Sequence, residues 1–304
     1  MIKYLVIIPV YNPDDKFICL LEMLKKQSIN NLSVLIIDSG LKHEYFDFIN
    51  NDSHFVIKQI PNVEFNHGGT RQLGIELYPD NDVYVFLTQD AILVDEKSIE
   101  YLISCFNNPQ IGCAYGRQLP YDNAAFFSRI ARLNNYGGKS YIRSFYDRRK
   151  YGMKTCFISN SYAAYRKEAM LDVKGFPTDT ILSEDMCVAA KMLKDGWKIA
   201  YNADSQVYHS HNYSIWQEFK RYFDIGVFHA RESWIRETFG QAEGEGVNFV
   251  KKELRIILKK NPMLIFEMIA RDGMKFIGYR LGRLEKRIPV TLKRHISMTK
   301  KYWD

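Results

Sequence analysis

Three short apolar runs, Tyr4–Pro9, Leu32–Ile37 and Val83–Leu87, each stop abruptly at polar residues. Runs of five or six apolar residues, rich in β-branched and aromatic types, mark strands buried on both faces, as in parallel sheets. Between the first two lies a stretch with Phe17, Leu20, Leu21 and Leu24 at helical spacing, entered at Asp14 or Asp15 and running to about Gln27. Strand, helix and strand in that order make a parallel βαβ unit. In an open α/β sheet ligands sit outside the carboxyl ends of the strands. The polar residues just past those ends are therefore the first places to look for a site.

Phe55–Ile60 reads as a further strand, and Phe65-Asn66-His67-Gly68-Gly69-Thr70-Arg71 opens a helix that runs through Leu77. Gly68 and Gly69 allow close backbone approach, and free N–H groups at a helix start favour an anion. Arg71 in the first helical turn is disfavoured by the macrodipole, so it calls for a phosphate, a carboxylate or a local acid such as Asp90. A helix is expected from about Glu96 to Phe106 and a strand at Ile111–Tyr115. Residues 120–155 read as a long, partly mobile connection. Cys156–Tyr165 reads as strand, and Trp197–Ala200 and Val207–Tyr208 as two short edge strands. Neither GxGxxG nor GxxxxGK[ST] occurs, so the usual dinucleotide and P-loop modes are excluded.

Four groups of residues carry candidate chemistry. Asp38, before Ser39-Gly40, is placed either to bind a base or ribose or simply to form the turn. Asp90, ending Thr88-Gln89-Asp90, either holds a divalent cation against a phosphate or caps the helix that follows. Ser183 is a natural N-cap for a helix opening with Glu184-Asp185, whose acids suit the dipole. The functional reading makes one of them a general base, kept basic by repulsion from its neighbour. His209 and His211 alternate on an extended segment and so share a face, as metal ligands or as surface histidines.

Charge is unevenly spread. From Asn248 to Asp304 there are 15 Lys/Arg against 5 Asp/Glu, a net +10, so residues 1–247 carry −3 of the overall +7. The tail interleaves those cations with Phe249, Leu254, Ile257, Met263–Ile269, Phe276 and Leu281. A basic amphipathic stretch of this kind suits an anionic membrane surface, a solvated hairpin or an oligomer contact. No RNA-binding motif accompanies it, so nucleic acid is not expected as a partner. Five cysteines without metal-ligand spacing point to a reducing, cytoplasmic setting. No signal peptide and no run of 18 apolar residues is present.

In their order and spacing these pieces resemble the inverting glycosyltransferases of family 2, over roughly residues 3–215. The resemblance rests on Ile8-Pro9-Val10-Tyr11-Asn12, Asp38-Ser39-Gly40, His67-Gly68-Gly69-Thr70-Arg71, Leu87-Thr88-Gln89-Asp90-Ala91, Ser183-Glu184-Asp185 and His209-Ser210-His211. It implies an α/β GT-A (Rossmann-like) fold, a mostly parallel sheet flanked by helices, with a catalytic domain at 1–215 and a helical, basic extension at 216–304. It implies a nucleotide-sugar donor, a glycan or lipid-linked glycan acceptor, and Mg²⁺ or Mn²⁺ on Asp90 with His209 and His211. Asp185, beside Glu184, becomes the catalytic base. Pro9, Tyr11, Asn12, Asp38, Gly68, Gly69, Arg71 and Gln89 become nucleotide and substrate contacts. Thr88 stands where the family's Asp-x-Asp motif has its first Asp, leaving Asp90 as the motif's one carboxylate. The wording of these blocks is most similar to bacterial rhamnosyltransferases of cell-surface polysaccharides, which use dTDP-L-rhamnose. The competing readings are a non-catalytic nucleotide-sugar or nucleic-acid binding module and a nucleotidyltransferase.

Overall fold

The computed structural model describes residues 2–29, 32–41, 43–50, 52–240 and 243–304, with the side chains of all but His43, Glu44, Asp47, Glu243, Glu245, Val247 and Asn248. The chain begins β1 (Tyr4–Val10), α1 (Lys16–Lys25), β2 (Val34–Asp38), α2 (His43–Asn50), β3 (Phe55–Gln59), α3 (His67–Leu77) and β4 (Val83–Leu87). It continues with β5 (Ile92–Leu93), α4 (Ser98–Ser104), β6 (Ile111–Leu119), α5 (Phe126–Asn135), β7 (Tyr141–Arg143) and α6 (Arg148–Tyr151). Then come β8 (Tyr162–Arg166), α7 (Lys167–Asp172), α8 (Glu184–Lys194) and β9 (Lys198–Tyr208). The remainder is helical: α9 (Ile215–Arg231), α10 (Ser233–Phe239), α11 (Glu243–Lys260), α12 (Ile265–Arg283) and α13 (Val290–Ile296).

One sheet runs in the order β3-β2-β1-β4-β8-β6-β9-β5, with β7 added against β9. The first four of these strands pair parallel, as the uninterrupted apolar runs require. β8 enters antiparallel between β4 and β6. The sheet is thus mixed, and the reversal matters for function. β8 starts at the edge where the parallel strands end, so Ser159–Ser161 lie beside Thr88, whose N–H donates to the Ser161 carbonyl at 3.3 Å. Gly116 in β6 is obligatory here, because a Cβ would collide with the Tyr162 ring.

Three expected elements take other forms. Residues 120–155 are not a loose connection but α5, β7, α6 and short turns, with Phe127, Ile130, Tyr136 and Met153 buried. Cys156–Ser161 is not strand; its first residue closes a 3-10 turn, and buried apolar content there was mistaken for strand periodicity. The two edge strands are one strand, β9, interior to the sheet and paired with β5, β6 and β7. Its pairing with β6 jumps from Gly116↔Asn202 to Arg117↔Gln206, and that bulge holds the polar stretch that looked like a break.

The C-terminal helices are built onto the same core. Phe219, Phe223, Val227 and Phe228 of α9, Ile235 and Phe239 of α10, and Ile296 and Trp303 share one buried cluster with Phe86, Tyr115 and Tyr165 of the sheet. α9 and α12 run side by side in the same direction, with Arg271 Nη1 donating to the Tyr213 carbonyl at 2.9 Å near their starts. Gly226, Gly278 and Gly282 let the backbones touch: a Cβ on Gly282 would overlap the Phe223 carbonyl oxygen, and one on Gly278 that of Phe219. Among the described residues no helix is long and apolar enough to cross a membrane.

Gly282→Ala should therefore lower stability by about 1–3 kcal/mol, the usual cost of overpacking. Gly273→Ala, where nothing lies within 4 Å of the new methyl, should raise it by about 0.5–1 kcal/mol. Urea denaturation of the two variants against the parent checks both signs.

Candidate active site

The carboxyl ends of β1, β2 and β4 form one corner. Asn12 adopts a left-handed φ of 41°, which swings Tyr11 out so that it is 53% exposed. The Gln89 side chain clamps that turn from both sides: Oε1 accepts from Tyr11 N at 2.8 Å and Nε2 donates to Tyr11 O at 3.0 Å. Gln89, expected as a substrate contact, is thus committed to holding the β1 turn. Pro9 lies within β1, paired with Ile37 of β2. Asp38 is buried; its Oδ1 accepts from Gly40 and Leu41 N–H, and among the described residues Oδ2 has only a long contact from Gln59 at 3.5 Å. Asp38, Ser39, Gly40, Gln59, Ile60 and Pro61 line an open cavity of about 440 Å³. The turn thus engages one oxygen of Asp38, and the residue also lines the cavity.

Next along the edge, Asp90, His209 and His211 converge, with one ligand atom from each lying within 4.8 Å of the others. His209 Nε2 is 3.6 Å from one Asp90 oxygen and His211 Nδ1 is 3.8 Å from the other. Their second shell is fixed. Gln118 Oε1 accepts from Arg132 at 2.6 Å and meets His209 Nδ1 at 2.8 Å, so Nδ1 carries the proton and Nε2 offers a lone pair toward Asp90. Burial, reinforced by Arg132, His211 and Arg221, holds the His209 imidazole well below its ordinary pKa; burial also lowers His211, against the pull of Asp90. Two neutral imidazoles and a carboxylate form a donor set that fits a divalent cation. The Thr88 hydroxyl is buried and unpartnered among the described residues. His211 brings the third candidate donor to this cluster.

The acid pair sits at the start of α8. Ser183 occupies the N-cap position but does not cap: its side chain makes no such bond, and its φ of 59° is left-handed, a conformation costing about 1–2 kcal/mol for a residue with a Cβ. Glu184 turns inward. Its Oε1 accepts from Asn160 Nδ2 at 3.0 Å and forms an ion pair with Arg71 Nη1, also at 3.0 Å. Burial alone would raise this carboxyl, but Arg71, His67 and Asn160 override it and keep it low. Asp185 has the opposite fate. Desolvation first, then the Glu184 charge, push it up to about 7, against N–H donation from Asn160 at 3.0 Å and Met186 at 2.7 Å. Two adjacent carboxylates are thereby split into a fixed anion and a proton acceptor poised near neutrality.

A short chain of contacts joins the two centres. Gln118, which steers His209, donates through Nε2 to Ser159 Oγ at 3.1 Å, and the next residue, Asn160, holds both acids. Arg71 is 4% exposed; its Nη1 faces Glu184 at 3.0 Å and donates to the His67 carbonyl at 2.8 Å, while its Nε is buried without a partner among the described residues. Gly68 and Gly69 serve packing rather than an anion. The Pro177 carbonyl fills the space over Gly68, and Asn66 Oδ1 caps Gly69 N–H at 2.8 Å. Sequence reasoning missed Asn160, Gln118, Ser159 and Arg132, which are single polar residues with no motif around them. Tyr121 was missed too; its hydroxyl bonds to the Asp90 carbonyl.

The chain has the GT-A fold of glycosyltransferases, with the Asp90–His209–His211 cluster and the raised Asp185 carboxyl joined by short contacts at the carboxyl edge of its sheet. The chain belongs to the glycosyl transferase family group 2, whose pattern matches residues 85–223. It is 44% identical over 302 residues to the O-antigen chain rhamnosyltransferase RfbN of Salmonella typhimurium, spanning 99% of this chain and 96% of that one. Against the O-antigen chain rhamnosyltransferase WbaN of Salmonella anatum it is 41% identical over 305 residues, spanning 100% and 96%. Among solved structures it is similar in fold to a mannosyltransferase from Pyrobaculum calidifontis in complex with GDP-Man and Mn²⁺, at TM-score 0.64 and 14% identity, covering 94% of this chain and 88% of that one. S. aureus TarS 1-349 in complex with UDP-GlcNAc is similar at TM-score 0.56 and 12% identity, covering 94% and 91%.

The split acid pair sets a pH signature. A base must be deprotonated, so kcat/KM should climb with pH through an apparent pKa near 7, the value for Asp185. Glu184→Gln removes the repelling charge and frees Arg71 to act on Asp185, so the rising limb should move to lower pH. A limb unmoved in that variant would remove Glu184 from the mechanism.

Proposed function

We propose that the chain moves L-rhamnose from dTDP-L-rhamnose onto a hydroxyl of a lipid-linked surface glycan, inverting the anomeric centre in one displacement. The observation that carries the reading is the placement of Asp185, raised to about 7, one short contact chain from the Asp90–His209–His211 triad. The donor and the acceptor class follow the rhamnosyltransferase relatives, which match nearly the whole chain.

The base and ribose of the donor occupy the cavity beside Asp38, with the free Oδ2 as acceptor for a base N–H or sugar hydroxyl. The β1 turn stands beside this cavity, with Asn12 N–H donating to the Gly40 carbonyl at 2.9 Å and Gln89 clamping Tyr11, so Pro9, Tyr11 and Asn12 are assigned to the donor at its edge. Asp90, His209 and His211 would hold Mg²⁺ or Mn²⁺, which neutralises the diphosphate and assists its departure. The Asp185 carboxylate accepts the proton of the acceptor hydroxyl as its oxygen bonds to C1. The C1–O bond to the diphosphate breaks, and its electron pair leaves on dTDP. Glu184, locked to Arg71 and Asn160, keeps Asp185 basic and does not itself move a proton. Catalysis is assigned to residues 1–215 and acceptor delivery to 216–304. Five free cysteines, three of them buried, support work on the cytoplasmic side.

The decisive assay follows release of dTDP from dTDP-rhamnose with and without acceptor. Asp185→Asn should cut kcat by about 10²–10⁴-fold while dTDP affinity is kept. Near-normal turnover in that variant would end the assignment. Asp90→Asn should abolish Mn²⁺ binding followed by electron paramagnetic resonance, and EDTA should stop transfer in the parent. Full activity in chelator would remove the cation from the mechanism.

A further inference from the structure

α12 has two unlike faces. Gly278 and Gly282 press against α9, and Met268, nearer the helix start, is buried with Phe127 and Ile257. Met263, just before the helix, and Phe266, Ile269, Phe276, Ile277, Leu281 and Leu284 are all exposed, Phe266 by 78% and Phe276 by 63%. Their spacing of three and four residues, continued by Ala270, Gly273 and Arg280, puts them on one arc that contains no acid. The arc runs for about 30 Å at 1.5 Å per residue. So long an unpartnered apolar stripe is an interaction surface rather than scattered surface hydrophobics.

Charge identifies what covers it. The five acids of the tail are each buried or paired: Glu253 is buried, Glu267 pairs with Arg271 at 2.8 Å, Asp272 with Lys275 at 3.2 Å, Glu285 is buried against Arg231 and Lys293, and the exposed Asp304 pairs with Arg294. Lys259 and Lys260 precede the stripe, Arg280 lies on it, and Lys286 and Arg287 follow it, all exposed and none with an acid partner among the described residues. The outward face is therefore apolar along its middle and cationic at both ends. A second copy docked two-fold would set these cations against one another.

We infer that α12 lies in the interface of an anionic bilayer, its Phe266–Phe276 stripe among the acyl chains and its flanking Lys/Arg on lipid phosphates. Sugar donor and acceptor identity play no part in this inference. The test is flotation of the full chain with phosphatidylglycerol-containing and pure phosphatidylcholine vesicles, beside sedimentation equilibrium. The parent should float with the anionic vesicles only, less so at high salt, and sediment as a monomer. Phe266→Glu with Phe276→Glu should weaken flotation at least about tenfold. Arg280→Gln should cost about fivefold. Both variants should keep parental urea melting and acceptor-independent dTDP release. Absence of flotation, flotation indifferent to the double variant, or a parental dimer that the double variant splits would each overturn the inference, the last by making this face a contact between copies.

Discussion

Asn160 is the residue through which the site is held together. It is 3% exposed; its backbone N–H serves Asp185, its side-chain N–H serves Glu184, and its Oδ1 accepts from Tyr165 at 2.7 Å. A buried amide with these partners fixes the distance between two like charges that water would otherwise separate and screen. Its position depends in turn on β8 running against its neighbours, which brings the chain back to the ligand edge between β4 and β6. The reversal of that one strand puts an amide between the Asp90–His209–His211 cluster and Asp185.

The N-terminal half of the fold was legible because strands buried on both faces leave unbroken apolar runs, as in β1, β2 and β4. Legibility failed where burial and periodicity part company. Cys156 and Ile158 are buried yet lie in a 3-10 turn and in irregular chain, and the bulge in β9 puts Asn202, Asp204 and Gln206 inside a strand. At the site, residues whose chemistry is unusual for their place were readable: acids ending strands or opening a helix, and histidines in alternation. Their orienting partners were not, because Gln118, Ser159 and Asn160 act through contacts distant in sequence and look like any surface polar residue. Arg71 shows the middle case. Its misfit with the helix dipole announced an anion, but only coordinates could say that the anion is Glu184.

The site also illustrates how environment divides labour between neighbours. Glu184 and Asp185 differ by one methylene and share a helix turn. Arg71 reaches one of them and not the other, and this separates their proton affinities. The left-handed Ser183 just before them aims the pair, and its strain is held by the packing of α8 against α3 and β9.

The glycine contact between α9 and α12 has a mechanical consequence. With backbone against backbone at Gly226, Gly278 and Gly282, neither helix can slide or roll without a carbonyl meeting a Cα. α9 begins four residues after His211, whose ring stacks on Tyr213, and Arg271 of α12 holds the Tyr213 carbonyl. The two helices therefore act as a rigid gauge block: whatever plane the outer side of α12 rests on, the reaction centre stands off from it by a constant height, set by helix diameters rather than by a hinge.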